Sequence, residues 1–179
     1  RFARQLALEA LKYEKIEVIL LRSKHSRTPL QPDFSFDELQ ISNAIQRQMA
    51  FIEDARPRYE DHVYDSYQDY ATQLEMLCTQ EKPDIILLAA AVSDYGVLEE
   101  NASKISSDLE EITITLRRLP KVIDNVRSWS PNSLIVGFKL LVGATKEELI
   151  DAAAKLEKRA GLNLVIANDL NEIRAGNHT

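Results

Sequence analysis

A chain of 179 residues, 45% apolar and 28% charged, is long enough for one sizeable core and has the composition of an ordinary soluble globular domain. Lysine and arginine number 22 against 28 aspartates and glutamates, a net charge of −6; no basic stripe with interleaved aromatics is present, which argues against a nucleic-acid partner but allows small anions held by local cations. No apolar run approaches the roughly 20 residues of a membrane span, and no signal-peptide pattern is present. The single cysteine, Cys78, has no partner for an internal disulfide, so a reducing cytoplasm is the expected compartment and Cys78 a small core residue.

The stretch "RFARQLALEALKYE" places Phe2, Ala3, Leu6, Ala7, Ala10 and Leu11 on one helical stripe. "KIEVILLR" follows as a strand whose nearly continuous apolarity predicts burial on both faces, as in a parallel sheet under helices. Residues 22–37 contain Pro29 and Pro32 among polar residues and predict a long loop. "DELQISNAIQRQMAFIEDA" has helical spacing through Leu39, Ile45, Met49 and Ile52, with Asp37 as N-cap and Pro57 beyond its end. A short strand, "HVYD", precedes the helix "SYQDYATQLEMLCTQE", which Ser66 caps and Pro83 stops; Tyr70, Leu74, Leu77 and Cys78 form its stripe.

"DIILLAAA" is the next buried strand. Residues 96–111 are polar and irregular, and "ITITLRRL" alternates like a half-exposed strand. "PKVIDNVRSW" opens a helix on Pro120, closed by Pro131, and "SLIVGFKLLV" is a strand. "TKEELIDAAAKLEKRAG" has Thr145 as N-cap, Glu148 completing a capping box, and Gly161 as C-cap. "LNLVIANDL" is the last buried strand. Helices and apolar strands alternate without repeat or linker. That pattern predicts one α/β domain over residues 1–179, three-layered and doubly wound on a mainly parallel, Rossmann-like sheet.

In such sheets ligands bind beyond the carboxyl ends of the strands. There the sequence offers "AAAVSDY", "GFKL" and "ANDL". Small side chains at a strand end, here Ala89, Ala90 and Ala91, let a ligand lie against the backbone. Asp94 can accept from a hydroxyl or amide, Asn168 can donate and accept, and Phe138 can stack on a planar base. Each has a plainer role open to it: alanines for close helix packing, Asp94 as a turn cap, Asn168 on a backbone carbonyl, Phe138 in the core.

Of the lysines, Lys104 lies in the irregular stretch after the Ser-Asp-Tyr turn, where a loop cation beside a strand-end pocket suits phosphate neutralisation. Lys121 and Lys139 lie near the same strand ends; Lys155 and Lys158 are about one helical turn apart, as a nucleotide-side pair or a solvated helix face. Several chemistries have no support. There is no GxxxxGK[ST] and no GxGxxG, no nucleophile elbow, and His25, His62 and His178 lack metal-ligand spacing.

The ordered set "AAAVSDY", "SKIS", "LPKVIDNVRSWSPNSLIVGFKLLV", "AAAKLEKR" and "LVIANDL" resembles the phosphopantothenate–cysteine ligase family of coenzyme A biosynthesis. The likeness covers Lys82 to Asn177 well and the first helix and strand loosely, and the "GFKL" form is nearer the stand-alone branches than the bacterial fusion with a flavin decarboxylase. The resemblance implies an acyl-nucleotide route using CTP or ATP with Mg²⁺, and a homodimer. By resemblance, Ala90, Ala91 and Asp94 hold phosphopantothenate, and Lys104 acts on the phosphates as the catalytic cation. Pro120, Lys121, Val122, Ile123, Phe138 and Asn168 then hold the nucleotide, with Lys155 and Lys158, for which Arg159 is the alternative alignment. No protein metal ligand is implied. The family also carries a glycine-rich phosphate loop with an asparagine before its first long helix. This sequence begins at about that helix, with Arg1 rather than Met, so the loop is expected to be missing here and the chain trimmed or partly ordered. The competing expectations are a catalytically inactive nucleotide-binding relative or regulatory subunit, and an NAD(P)-binding oxidoreductase.

Overall fold

The structure, a computed structural model, describes residues 2–31, 41–97 and 111–174, without the side chains of 41–44 and 174. The expected N-cap Asp37 and stripe residue Leu39 lie outside the described residues. The chain divides into two compact units, Arg1–Pro83 and Asp84–Thr179.

The first unit is built on a parallel strand pair. Helix α1 (Phe2–Ala10) precedes β1 (Val18–Ser23); α2 (Ile41–Ala55) and a short 3₁₀ turn (Arg56–Arg58) lead to β2 (Tyr59–Tyr64); α3 (Tyr67–Gln80) packs back on both strands. β1 and β2 run in register from Val18↔Tyr59 to Ser23↔Tyr64. Ser66 caps α3 as expected, its hydroxyl accepting the Asp69 N–H at 3.1 Å, and Tyr70, Leu74, Leu77 and Cys78 are all buried. Helical spacing also held for Ala7 and Leu11, which are buried, but Phe2 and Met49 are exposed. An end residue and a residue on the outer edge of a stripe have too little neighbouring surface to cover them.

The second unit carries a parallel sheet in the order β3 (Ile85–Leu88), β6 (Leu134–Leu141), β7 (Leu164–Asp169). Between β3 and β6 the chain forms a separate antiparallel ribbon, β4 (Tyr95–Val97) with β5 (Leu116–Arg118), then α4 (Ile123–Trp129). Helix α5 (Lys146–Ala160) crosses from β6 to β7, and α6 (Leu170–Arg174) follows β7. The alternation of helices with parallel strands confirms the mainly parallel α/β, Rossmann-like class.

Helices α4 and α5 cover one face of this sheet. Gly137 explains how they come so close: a Cβ there would stand 2.6 Å from Leu162 Cδ1, 3.6 Å from Ile123 Cδ1 and 3.8 Å from Leu156 Cδ2. Ile135, Val126 and Ala160 close the core beneath them. The α5 termini match expectation. Thr145 and Glu148 form a capping box, and Gly161 ends the helix at φ +62°.

Four sequence expectations need correction. The "DIILLAAA" run pairs only through Leu88, and Ala89, Ala90 and Ala91 lie beyond the ladder. Ile85 and Leu87 of that run are 60% and 47% exposed, because they face away from α4 and α5. Gly96 and Val97, expected as irregular, join Tyr95 in a strand that pairs with Leu116–Arg118, and that partner strand is exposed throughout rather than alternating. Pro120 does not open α4; the helix begins three residues later. Strand extent is decided by the partner strand, which the local pattern does not contain.

Candidate functional site

Beyond Leu88 the chain turns out of the sheet through the alanines. Ala89 is half-buried, and Ala90 and Ala91 are exposed, so the backbone here is open to a ligand. Ser93 tightens the turn: its hydroxyl donates to the Tyr95 carbonyl at 2.7 Å and accepts the Tyr95 N–H at 3.3 Å. Asp94 is then fixed twice. Its carbonyl accepts the Leu119 N–H at 2.9 Å, and its carboxylate meets Lys121 Nζ at 2.9 Å. The hydrogen bond and charge of Lys121 hold the Asp94 carboxyl below the usual carboxylate range, with smaller contributions from Arg118 and Lys139. A carboxylate kept ionised and oriented, beside several cations, suits recognition of a polar substrate with an anionic group.

Lys121 also starts the approach to α4: its carbonyl accepts the Asp124 N–H at 3.0 Å, and that of Val122 accepts the Asn125 N–H at 3.0 Å. Val122 is buried and Ile123 half-buried against Gly137, so the Pro120–Ile123 segment is seated on the helix-covered face of the sheet.

Phe138 and Asn168 alternate onto the opposite face. Phe138 pairs with Ile166 and Asn168 with Leu140, which makes them diagonal neighbours there; both are half-buried. The Asn168 side chain has no hydrogen bond among the described residues. So the sheet rim brings Phe138 to Asn168, and separately Asp94 to Lys121. An open groove of about 490 Å³ lies in the first unit, lined by Gln5, Lys12, Arg47 and Phe51 among others, and by none of the residues selected from the sequence.

On α5 the geometry separates the alternatives. Arg159 Nε lies 3.0 Å from Asp124 Oδ1, at the start of α4 and next to the Pro120–Ile123 segment. Lys155, one turn earlier, pairs with Asp151 at 2.6 Å and is largely exposed; Lys158 is exposed with no ion pair among the described residues. Arg159 is thus tied to the start of α4, and Lys158 points to no carboxylate among the described residues. Lys104 lies outside the described residues.

One residue escaped the sequence reading. Asp169, buried at the end of β7, accepts the Ala144 N–H at 2.9 Å through Oδ2 and the Asn171 N–H at 2.8 Å through Oδ1. It ties the β6–α5 turn to the start of α6 directly beside Asn168. These backbone bonds, the one from Ala144 foremost, lower its pKa. The signal was present in "ANDL": an aspartate directly ahead of a short helix is a cap.

The fold and this rim define a Rossmann-like α/β domain with a polar, cation-bearing strand edge. Residues 64–179 match the family described as DNA/pantothenate metabolism flavoprotein C-terminal domain, and the chain belongs to that family. The coenzyme A biosynthesis bifunctional protein CoaBC of Thermococcus kodakarensis is 44% identical over 90 residues, which are 50% of this chain and 22% of that protein. The chain thus spans well under two thirds of the curated relatives it matches. Among solved structures, the DNA/pantothenate metabolism flavoprotein of Streptococcus pneumoniae superposes with a TM-score of 0.68 at 24% identity, covering 95% of this chain and 70% of that one. A Cab2 mutant in complex with phosphopantothenate-cysteine gives 0.72 at 19% identity, covering 94% and 63%. At such identities these likenesses establish the fold.

Proposed function

We propose that this chain supplies phosphopantothenate–cysteine ligase activity, joining 4′-phosphopantothenate and L-cysteine in coenzyme A biosynthesis. The observation that carries the reading is the family match over residues 64–179, a stretch that encloses the whole ordered set of strand-end motifs. The relatedness to CoaBC, named for coenzyme A biosynthesis, supports it.

In this reading the phosphopantothenate carboxylate attacks the α-phosphate of CTP or ATP, giving an acyl-nucleotide and releasing pyrophosphate. The cysteine amine then attacks the acyl carbon, forming the amide and releasing the nucleoside monophosphate. Two anions must approach, so the barrier is largely electrostatic, and local cations are the natural remedy. Ala90 and Ala91 leave space for the pantothenate against the backbone, and Asp94, pre-oriented by Lys121, accepts from its polar groups. Phe138 and Asn168 receive the base side of the nucleotide from one face of the sheet. The Pro120–Ile123 segment, Lys155 and the Lys158 or Arg159 cation serve its phosphates from the other, and Lys104 neutralises the charge that develops on transfer.

Magnesium enters on the triphosphate. Mg²⁺ commonly binds through substrate phosphate oxygens and water with few protein ligands, as it would here. A homodimer and a cytoplasmic location belong to the same proposal; no described helix is long and apolar enough to cross a membrane.

The test is to incubate the full-length protein with phosphopantothenate, cysteine and either CTP or ATP and follow pyrophosphate. Release that requires phosphopantothenate is expected. Nucleotide binding without turnover sinks the ligase reading and favours an inactive relative.

A further inference from the structure

We propose that Lys139 is a further phosphate-binding residue of this rim, placed to meet a phosphoryl oxygen of a reactant from the helix-covered face of the sheet. The proposal rests on the ligase reading and adds a residue to it.

The register of β6 sets its position. Gly137 opposite Leu88 is the last pairing with β3, so Lys139, the next residue on the same face, passes beyond the end of that strand. Its partner in β7 is Ala167, and the chain leaving β3 runs through Ala89, Ala90 and Ala91. Its flanks are therefore small residues, which leave the space around the lysine stem unfilled. Gly137 packs beneath Ile123, Leu156 and Leu162, so Lys139 emerges past the same helices, towards the segment that carries Lys121.

Its electrostatic surroundings are one-sided. Lys121 has Asp94, Arg159 has Asp124 and Lys155 has Asp151. Lys139 is half-buried, and its side chain has no ion pair or hydrogen bond among the described residues. A lysine whose stem lies along the sheet and whose ammonium has no carboxylate of its own is open to an incoming anion. The nearest carboxylate, Asp94, is already taken by Lys121, and the charges of Arg118 and Lys139 also reach it. Three cations around one carboxylate leave a local positive surplus on a chain of net charge −6. A compact, strongly hydrated ammonium is suited to a phosphoryl oxygen. Two phosphates can supply it: the triphosphate of the nucleotide or the terminal phosphate of phosphopantothenate.

The experiment uses the full-length protein with Lys139→Gln, Lys139→Met and Lys139→Arg, the second neutral variant guarding against a folding failure of the first. Steady-state pyrophosphate release gives kcat and KM for each substrate, and calorimetry gives Kd for ATP, CTP and phosphopantothenate. The neutral variants should raise the KM and Kd of one phosphate-bearing ligand about tenfold or more, the usual effect of losing a charge-assisted hydrogen bond. Arginine should restore part of the affinity, and the KM for cysteine should stay unchanged. A rise for the nucleotide assigns Lys139 to the triphosphate, and a rise for phosphopantothenate assigns it to that phosphate. Folded neutral variants that keep every Kd and KM within about twofold overturn the proposal, as does a wild-type protein that binds no phosphate-bearing ligand. Binding that depends on Lys139 in a protein without turnover upholds the site and sinks the ligase reading alone.

Discussion

Lys121 and Asp94 lie 27 residues apart in the chain and meet at 2.9 Å, closing the path from β3 through the exposed ribbon to α4. The Asp94 carboxylate is 61% exposed, so the pair contributes little to stability, and its value lies in orientation. Asp94→Asn should therefore raise the KM for phosphopantothenate about tenfold while leaving the melting temperature nearly unchanged. Thermal unfolding alongside steady-state kinetics decides it: a large fall in melting temperature at unchanged KM would make the pair purely structural.

Gly137 is the close-approach point of the second unit. Gly137→Ala puts a Cβ within 2.6 Å of Leu162 Cδ1, so the buried Leu162 side chain must shift to make room. The expected loss is about 1–3 kcal/mol by urea unfolding. Adding Leu162→Ala should relieve the clash, so the double variant should lose less than the sum of the two singles.

Arg127 holds the lower end of the same unit together. Its guanidinium donates to the carbonyls of Gly161 at 2.8 Å, Pro131 at 2.9 Å and Ser133 at 2.9 Å, and to Asn163 Oδ1, which also accepts the Ile135 N–H at 2.8 Å. Arg127→Met removes these donors together and should cost about 2–3 kcal/mol. Arg127→Lys should recover only a part, because an ammonium does not span acceptors spread around a planar fork. Chemical denaturation of both variants checks the order.

Asp169 sets an acid-side prediction. Its folded pKa is depressed by backbone N–H donors, first that of Ala144, so the native state binds fewer protons than the unfolded chain near that pKa. Stability from this group is therefore complete above the unfolded pKa of about 4 and is lost as pH falls through the folded value. Asp169→Asn should lower the melting temperature at pH 7, and the gap to wild type should narrow as pH falls from about 4 through the depressed folded pKa, below which both side chains are neutral. A gap that stays constant across that range would remove the carboxylate charge from the account.

Local features were legible in the sequence because their causes are local. The Ser66 cap, the Thr145–Glu148 box and the Gly161 terminus each depend on residues within one helical turn, and each stands where the pattern places it. The buried stripe of α3 follows from 3.6-residue periodicity alone. The candidate site was legible as a list of strand-end residues, but not as a grouping. Alternation in β6 and β7 places Phe138 with Asn168 on one face and Lys139 on the other, which follows only once the register is known. That Arg159 meets Asp124 on a different helix likewise follows only from the fold.

The sequence by itself determined the alternation of the main helices and strands and the capping of α3 and α5, because hydrogen bonds and periodicity within a segment set those. Tertiary structure alone decided that β3 ends at Leu88, that Tyr95–Val97 finds a partner, and that Asp94 is taken by Lys121. Each of those depends on a group brought close only when the chain folds back on itself, and no pattern within either segment encodes that distance.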